Sequence, residues 1–469
     1  MIQKIEREVF PWKKCSLLYL ASYGLMFFFL KTYFWDDWYI YFGRTDKEVE
    51  NLLRQHTDLP IRSFIELNIF GNRPELFHLG ILVCYFLAGW CLFHILGTLK
   101  FLNNVQIEII TILFLVLPIN SARVAMIDFA YGLSLASFFA GWYFLVTKKS
   151  RMSACLAFVL FICSFFSTAS MLVFFMIPVA HRAYLRFTET TGNKTRIILF
   201  TASWAFTAPL YWFVSRRFFP PQGIHLVMYS LQKSGTTRAL ILFILCCLIM
   251  GWYLKIGLRD EKDSNRYLLI CLGLVIIAIG AAPYIVAGHL VDASAWMLNF
   301  VPRASQWDSR HQLLLGLGLS TLIAGILGEI NSTFKRRLVR VLIGMFVLLN
   351  LTYMHSYFLD SMKQKEVISA IAANPEMKNA KVIMIYDLTT DRYNARGRDI
   401  RSYEWDAMFS SIYHDDLRES IDGYDFVDCA SGPIPDTLLT ITATNGRFKA
   451  TLLRQVGINI GVTRIDPCP

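Results

Sequence analysis

The sequence predicts a polytopic α-helical membrane protein of about eleven transmembrane helices, followed by a small soluble C-terminal domain of the α/β or α+β type. Three observations predict this fold class. Only 17% of the 469 residues are charged, whereas a soluble domain averages about 25%. Long apolar runs follow one another through most of the chain. Residues 360–469 carry 13 basic and 16 acidic side chains, so the net charge of +11 comes from the apolar part.

The apolar runs have the length that a membrane helix needs, which is about 20 residues for a hydrocarbon core of about 30 Å. We expect a transmembrane domain over residues 1–358, with a long first outer loop at 35–75, and a C-terminal domain over 359–469. The expected spans are residues 15–34, 76–97, 105–119, 129–147, 152–166, 169–181, 196–214, 238–255, 267–288, 311–329 and 338–357.

Basic residues predict the direction of each span, because cytoplasmic loops carry an excess of Lys and Arg. Lys13 and Lys14 precede the first span and place the N-terminus in the cytoplasm. The basic clusters at Lys148 and Arg182 lie on the same side only if residues 152–181 cross twice. We therefore expect two short helices in this region. The alternative is one long tilted helix. Eleven spans then place the C-terminal domain outside the cytoplasm.

The C-terminal domain is predicted from a change of pattern. Residues 361–378 have helical spacing, and residues 381–386 (KVIMIY) are typical of a buried strand. Further strands are expected at 438–443 and 458–463. Cys429 and Cys468 are the two cysteines of this region, and in an outer compartment they are candidates for a disulfide.

The main candidate site is the segment FWDDWY at residues 34–39, directly after the first span. Trp and Tyr are typical of the membrane interface, so an aromatic belt with incidental acids is one explanation. That explanation gives no reason for two adjacent carboxylates at the membrane boundary, where charged groups are costly. We therefore interpret Asp36 and Asp37 as candidate catalytic residues.

Two carboxylates at this depth fit the chemistry of sugar transfer. One can take the proton of a sugar hydroxyl that attacks an anomeric carbon. The other can hold acceptor hydroxyls or a divalent cation, Mg²⁺ or Mn²⁺, and the pair alone does not decide whether a metal is used. A lipid-phosphate leaving group requires polar and cationic partners. Candidates in the outer loops for binding the donor phosphate or the substrate are Arg123, Arg216, Arg217, His225, Arg303, Asp308, Arg310 and His311.

Other function classes lack their motifs. We find no phosphate-binding loop of the G-x-x-x-x-G-K type and no H-E-x-x-H. No soluble basic surface with interleaved aromatic residues indicates nucleic acid. The predicted cytoplasmic loops are too short for a nucleotide-binding domain, so a sugar donor is expected to be lipid-borne.

Gly316 and Gly318 lie inside a span and indicate close helix packing.

An acidic pair in the first outer loop, on about eleven helices with an outer C-terminal domain, resembles the GT-C glycosyltransferases. Within them the chain looks most like the bacterial and phage Gtr-type enzymes that modify O-antigen and convert serotype. The resemblance implies a bacterial inner-membrane protein that moves a sugar, such as glucose, from a polyprenyl-phosphate donor to a periplasmic glycan of lipopolysaccharide, with inversion. It implies Asp36 or Asp37 as the base. The implied partners are the donor, the glycan acceptor, membrane lipids, a flippase and a donor synthase, and no nucleic acid.

Two other functions remain as alternatives. A lipid-linked glycan polymerase or ligase also needs outer arginines and a lipid phosphate, but it has no special need for Asp36 and Asp37. A lipid or sugar transporter is the non-enzymatic alternative. Transporters usually place their sites at the middle of the membrane in paired repeats, whereas the centres of these spans are almost free of charge and no duplication is evident.

Overall fold

A computed structural model of the protein describes most of the chain. The described residues are 9–40, 47, 65–71, 73–148, 150–167, 171–189, 194–218, 264–286, 312–327, 333–395, 398–414, 419–422, 436–443 and 458–464. Most of them are helical, and the strands all lie beyond residue 381. The expected span at 238–255 lies outside the described residues, as do residues 41–46, 48–64 and 72 of the expected first outer loop.

The described α-helices follow the predicted apolar runs closely. They are α1 Trp12–Tyr23, α2 Asp36–Ile40, α3 Pro74–Leu96, α4 Asn104–Val116, α5 Phe129–Thr147, α6 Arg151–Ser167, α7 Met171–Phe174, α8 Met176–Glu189, α9 Lys194–Ala205, α10 Thr207–Phe218, α11 Ser264–Val286, α12 Leu315–Leu327, α13 Thr333–Ala373, α14 Pro375–Asn379, α15 Thr390–Tyr393 and α16 Ser402–Tyr413. Short 3₁₀ helices cover Gly24–Phe28, Ala122–Val124 and Met126–Asp128, and a π-helix covers Ile65–Phe70.

Among the described residues, four helices are long and apolar enough to cross a membrane, at Pro74–Leu96, Met126–Thr147, Arg266–Pro283 and Arg336–Ala373. Apolar side chains such as Val83, Val105, Leu199, Val341 and Leu348 are exposed on the helices. Exposed apolar surface of this kind is typical of contact with lipid. The fold is therefore compatible with a helical membrane protein, while the count of eleven spans stays a prediction.

The chain reverses direction within residues 152–181. Going along α5, residues meet α6 in descending order: Ser134 bonds Ser164, and the ring of Phe138 lies 5.4 Å from that of Phe161. The following segment runs the other way, because Phe138 is 5.6 Å from Phe174 and Trp142 is 5.8 Å from His181. Two antiparallel segments therefore occupy this region, as the basic residues predict.

The first and last predicted spans differ most from the structure. The first α-helix ends at Tyr23, and the chain continues as the 3₁₀ helix Gly24–Phe28 instead of reaching residue 34 as a regular helix. Conversely, α13 is one helix of 41 residues, about 60 Å long at 1.5 Å per residue. It runs without a break past residue 358, so the expected boundary at residues 358 and 359 falls within this helix. The division into two domains stays a prediction.

In the described part of the chain, a four-stranded sheet follows α13. Its strands are β1 Val382–Asp387, β2 Glu419–Asp422, β3 Thr437–Ala443 and β4 Ile458–Arg464, in the order β2-β1-β3-β4. The central strand β1 is parallel to both neighbours, and β4 is antiparallel to β3. A second hydrophobic core forms here from Ile383, Ile385, Leu439 and Ile441 of the sheet together with helical residues. The expected strands at 381–386, 438–443 and 458–463 therefore exist, and β2 was missed.

Glycines form the contact between α11 and α12. A Cβ atom on Gly318 would lie 2.7 Å from the backbone nitrogen of Ile277, and one on Gly273 would lie 2.6 Å from that of Leu322. Real Cβ atoms do not come this close to a backbone, so the two helices depend on glycine for their separation. Close packing at Gly318 is thus confirmed.

Replacing Gly318 by alanine forces α11 and α12 apart, so we expect Gly318→Ala to lower the midpoint of thermal unfolding in detergent. The matched control is Gly344→Ala on α13, where a Cβ meets no atom within 4 Å. Alanine is about 1 kcal/mol more favourable than glycine inside a helix, so the control keeps or raises the midpoint. Equal midpoints for the two variants would contradict the packing described here.

Candidate functional site

The two acids lie in the first turn of α2, just after a tight change of backbone direction. Trp35 has a φ of 52°, in the left-handed region that few non-glycine residues adopt. Its ring is buried and lies 5.8 Å from that of Tyr357 on α13, which holds this conformation in place. A strained residue that is fixed by its surroundings often adjoins a functional group. Here it precedes Asp36 directly.

Asp37 is fully buried and belongs to the framework. Its Oδ2 accepts hydrogen bonds from the backbone N–H groups of Phe34, at 3.1 Å, and Met126, at 2.8 Å. Its Oδ1 accepts from the backbone N–H of Ile127, at 2.9 Å. Burial nevertheless raises the pKa of Asp37 to about 7, because desolvation outweighs these three hydrogen bonds. The carboxyl group therefore joins the turn at residues 34–37 to the segment before α5.

Asp36 has a different environment. It is half-buried, and its Oδ1 accepts a hydrogen bond of 2.9 Å from the hydroxyl group of Tyr403 on α16. Neighbouring positions on a helix do not face the same side, so the two carboxylates reach opposite parts of the protein. Asp37 bonds the helical region, and Asp36 bonds the region of the sheet.

In the described part of the chain, both oxygens of Asp37 bond backbone N–H groups, whereas Oδ1 of Asp36 bonds Tyr403. Whether the pair binds a cation stays a prediction. Among the described residues, no group of three or more His, Cys, Asp or Glu side chains is arranged to hold a metal ion. Of the acid pair, Asp36 alone keeps an oxygen, Oδ2, that accepts no hydrogen bond from the described residues.

Arg123 is buried beside the same segment. Its guanidinium group lies between the rings of Tyr23 and Tyr85, with Cζ 4.3 Å from each ring centroid. Its Nε donates to the carbonyl oxygen of Asn120, at 2.8 Å. None of the ion pairs formed within the described part of the chain involves Arg123. A buried cation that has aromatic partners, and no ion pair among the described residues, is suited to an anionic ligand.

Two further side chains fix the segment that carries Arg123. His78 on α3 places Nδ1 2.6 Å from the carbonyl oxygen of Leu30 and Nε2 2.8 Å from that of Val124. Asn120 donates from Nδ2 to the hydroxyl group of Tyr85, at 2.7 Å. With the bonds to Asp37, these contacts hold residues 117–128 rigidly against α3.

A buried ionic network connects α13 to the start of α16. Arg398 donates to Asp360 through Nε, at 2.8 Å, and through Nη2, at 3.2 Å. Its Nη1 donates to both carboxylate oxygens of Glu404, at 2.9 and 2.7 Å. Nearby, the buried Lys363 is paired with Asp387 and bonded to Asn394. Arg398, Asp360 and Glu404 are all buried, so this network fixes α16 on α13.

The network also reaches the acid pair. The guanidinium group of Arg398 lies 5.5 Å from the ring of Trp35 and 5.9 Å from that of Phe34. The hydroxyl groups of Thr32 and Ser361 are 2.5 Å apart. The segment 32–37 is therefore held on one side by the helices and on the other by α13 and α16.

The remaining predicted site residues are only partly described. Arg216 and Arg217 lie in the last turn of α10, and the side chain of Arg217 is exposed. Five predicted ligands and both cysteines of the predicted disulfide lie outside the described residues: His225, Arg303, Asp308, Arg310, His311, Cys429 and Cys468. Of the predicted set, the structure brings together Asp36, Asp37 and the segment that carries Arg123.

No protein-family model matches this chain, and no curated protein matches it. The likeness to the GT-C glycosyltransferases therefore rests on the arrangement of helices and on the acid pair, and it stays a resemblance.

Sequence reasoning missed Tyr403, Arg398 and Glu404. Only Glu404 has a signal in the local sequence. It is the third residue of α16, a position where an acidic side chain often bonds the start of the helix. Its carboxylate accepts a hydrogen bond of 3.2 Å from the backbone N–H of Arg401. Nothing in the run of arginines at 392–401 distinguishes Arg398, because its partner Asp360 lies 38 residues away.

The pKa of Asp37 predicts a pH dependence of stability. Since burial raises this pKa from 3.8 to about 7, the folded protein binds more protons than the unfolded chain between these values. Stability falls as the pH rises through this window. Asp37→Asn removes the titration, so its unfolding midpoint in detergent should depend less on pH between 4 and 7 than that of the wild type.

The control is Asp436→Asn, which removes another carboxylate that accepts from two backbone N–H groups, those of Lys381 and Val382, at an exposed site. Comparison with this variant separates the effect of burying a carboxyl group from the loss of one that bonds the backbone. An Asp37→Asn slope equal to the wild-type slope would show that this carboxyl group does not titrate in the window.

Proposed function

We propose that this protein is an integral membrane glycosyltransferase that uses Asp36 as its general base. It takes a sugar from a polyprenyl-phosphate donor and transfers it to a glycan acceptor such as the O-antigen of lipopolysaccharide. The proposal also places the protein in the inner membrane of a bacterium, with a cytoplasmic N-terminus and a periplasmic C-terminal region.

The single observation that carries the proposal is the different use of the two acids. Asp37 is fully buried, with three backbone N–H groups on its oxygens, and it has no room for a substrate hydroxyl. Asp36 is half-buried and held by one hydrogen bond from Tyr403. A general base needs a fixed carboxylate with a free oxygen within reach of the substrate. The single hydrogen bond to Asp36 among the described residues supports Asp36 in this role.

The reaction is a direct displacement. The acceptor hydroxyl oxygen attacks the anomeric carbon and forms the new C–O bond, while its proton passes to the carboxylate of Asp36. The bond between the anomeric carbon and the phosphate oxygen breaks, and its electron pair leaves with the polyprenyl phosphate. The configuration at the anomeric carbon inverts. No redox step is involved.

The phosphate that leaves carries negative charge and needs positive partners. Arg123 is a candidate, because it is a buried cation held between two tyrosines without an ion pair in the described residues. Arg217 at the end of α10 is a second candidate, and the arginines of the other outer loops stay predictions. The apolar outer surface of the helices is suited to the prenyl chain.

The decisive experiment is transfer of labelled glucose from polyprenyl-phosphate glucose to lipopolysaccharide in membranes that contain the full-length protein. Asp36→Asn removes the proton acceptor and should lower the rate by at least about 100-fold, the usual lower bound for general-base catalysis. The matched control is Glu366→Gln on the exposed face of α13, which also neutralises one carboxylate and should keep the wild-type rate.

The proposal fails if Asp36→Asn retains full transfer activity at a wild-type level of folded protein. A wild-type protein that moves the lipid-linked sugar across a liposome bilayer but forms no glycosidic bond would support the transporter alternative instead.

A further inference from the structure

The hydroxyl group of Tyr403 makes the only direct side-chain hydrogen bond that the structure gives between the sheet region and the acid pair in the described residues. It donates to Oδ1 of Asp36 at 2.9 Å, across 367 positions of sequence. We infer that Tyr403 is a positioning residue through which the C-terminal region sets the orientation of the base. This inference rests on the proposed function of Asp36.

The start of α16 is fixed well enough to serve this purpose. Tyr403 is the second residue of the helix, next to Glu404. Glu404 binds Arg398 through both carboxylate oxygens, and Arg398 binds Asp360 on α13. Bidentate pairs between arginine and carboxylate restrict orientation as well as distance. The position of the Tyr403 hydroxyl group is therefore determined by α13.

The short helix that carries the base is attached to the same region. Trp38, two residues after Asp36, is buried in the second hydrophobic core together with Val367 of α13 and Trp405 of α16. One side of α2 thus packs on the C-terminal region. A displacement of this region would move Asp36 relative to the helical part, where Asp37 holds the other end.

The hydrogen bond has a defined chemical consequence. A donor on Oδ1 stabilises the charged carboxylate and leaves Oδ2 to receive the proton of the acceptor. Burial, together with the charges of Asp36 and Glu404, raises the pKa of Tyr403, so its hydroxyl group stays protonated and remains a donor. The ionisable groups around this contact are Asp37 on α2, and Arg398, Arg401 and Glu404 from the C-terminal region.

The test is Tyr403→Phe in the transfer assay, with rates measured as a function of pH. Loss of the donor makes the charged carboxylate less favourable, so the acidic limb of the pH–rate profile should move to higher pH. At saturating substrate, kcat should fall on the order of tenfold, the effect expected for one hydrogen bond to a charged group, while KM changes little. A residue that served stability alone would not move the limb.

The matched control is Tyr413→Phe on the same helix. It also removes one hydroxyl group, which donates to the carbonyl oxygen of Ile371 at 3.0 Å and not to the acid pair. Its pH–rate profile should coincide with that of the wild type. If Tyr403→Phe reduces folding, a ring-fluorinated tyrosine at position 403 keeps the shape and is a stronger donor, and it should move the acidic limb to lower pH.

The outcomes separate the two proposals. An inactive Asp36→Asn variant together with a wild-type pH–rate profile for the Tyr403 variants overturns the positioning role and leaves the proposed function intact. Full activity of Asp36→Asn overturns the proposed function itself. A shifted limb in the Tyr403 variants, absent from Tyr413→Phe, supports both.

Discussion

The buried carboxylate of Asp37 is the interaction on which the arrangement of the site depends. It accepts hydrogen bonds from three backbone N–H groups, one in its own turn and two in the segment before α5. Without it, these N–H groups would be buried without partners, each at a cost of about 1–3 kcal/mol. Because the side chain of Asp37 bonds the segment before α5, the side chain of its neighbour Asp36 points to the C-terminal region. Two identical residues thus acquire different roles from helix geometry, with no difference in chemistry between them.

The C-terminal region is held on the helices by a rigid connection. A chain that entered a separate domain through a flexible linker could not keep Tyr403 within hydrogen-bond distance of Asp36. Here α13 continues unbroken into that region, and the pairs of Arg398 with Asp360 and Glu404 fix α16 on it. Buried ion pairs often add little net stability compared with apolar packing. Their contribution in this protein is to restrict α16 to one orientation.

The helices were predictable because apolar length is a local property: α5 has the expected bounds, and most others differ by a few residues. The continuation of the last span into the next helix was not predicted, because Asp360 and Lys363 look like the first solvent-exposed residues after a span. Both are buried against partners from distant segments. The acid pair was also predictable, since carboxylates beside tryptophans at a membrane boundary are unusual. The separate roles of Asp36 and Asp37 were not, because Met126, Ile127 and Tyr403 decide them through tertiary contacts.

The charge distribution around Arg123 supports the proposed lipid-borne donor. The segment 117–128 presents N–H groups to Asp37 and a guanidinium group to the interior between Tyr23 and Tyr85. The N–H groups and the guanidinium group both favour a negatively charged partner. Among the described residues, only the N–H groups bond a carboxylate, that of Asp37. A protein that only needed to span a bilayer would place neither charge there, because each is costly to bury. A phosphate brought close to Arg123 would balance its charge, and the leaving group of the proposed reaction supplies such a phosphate.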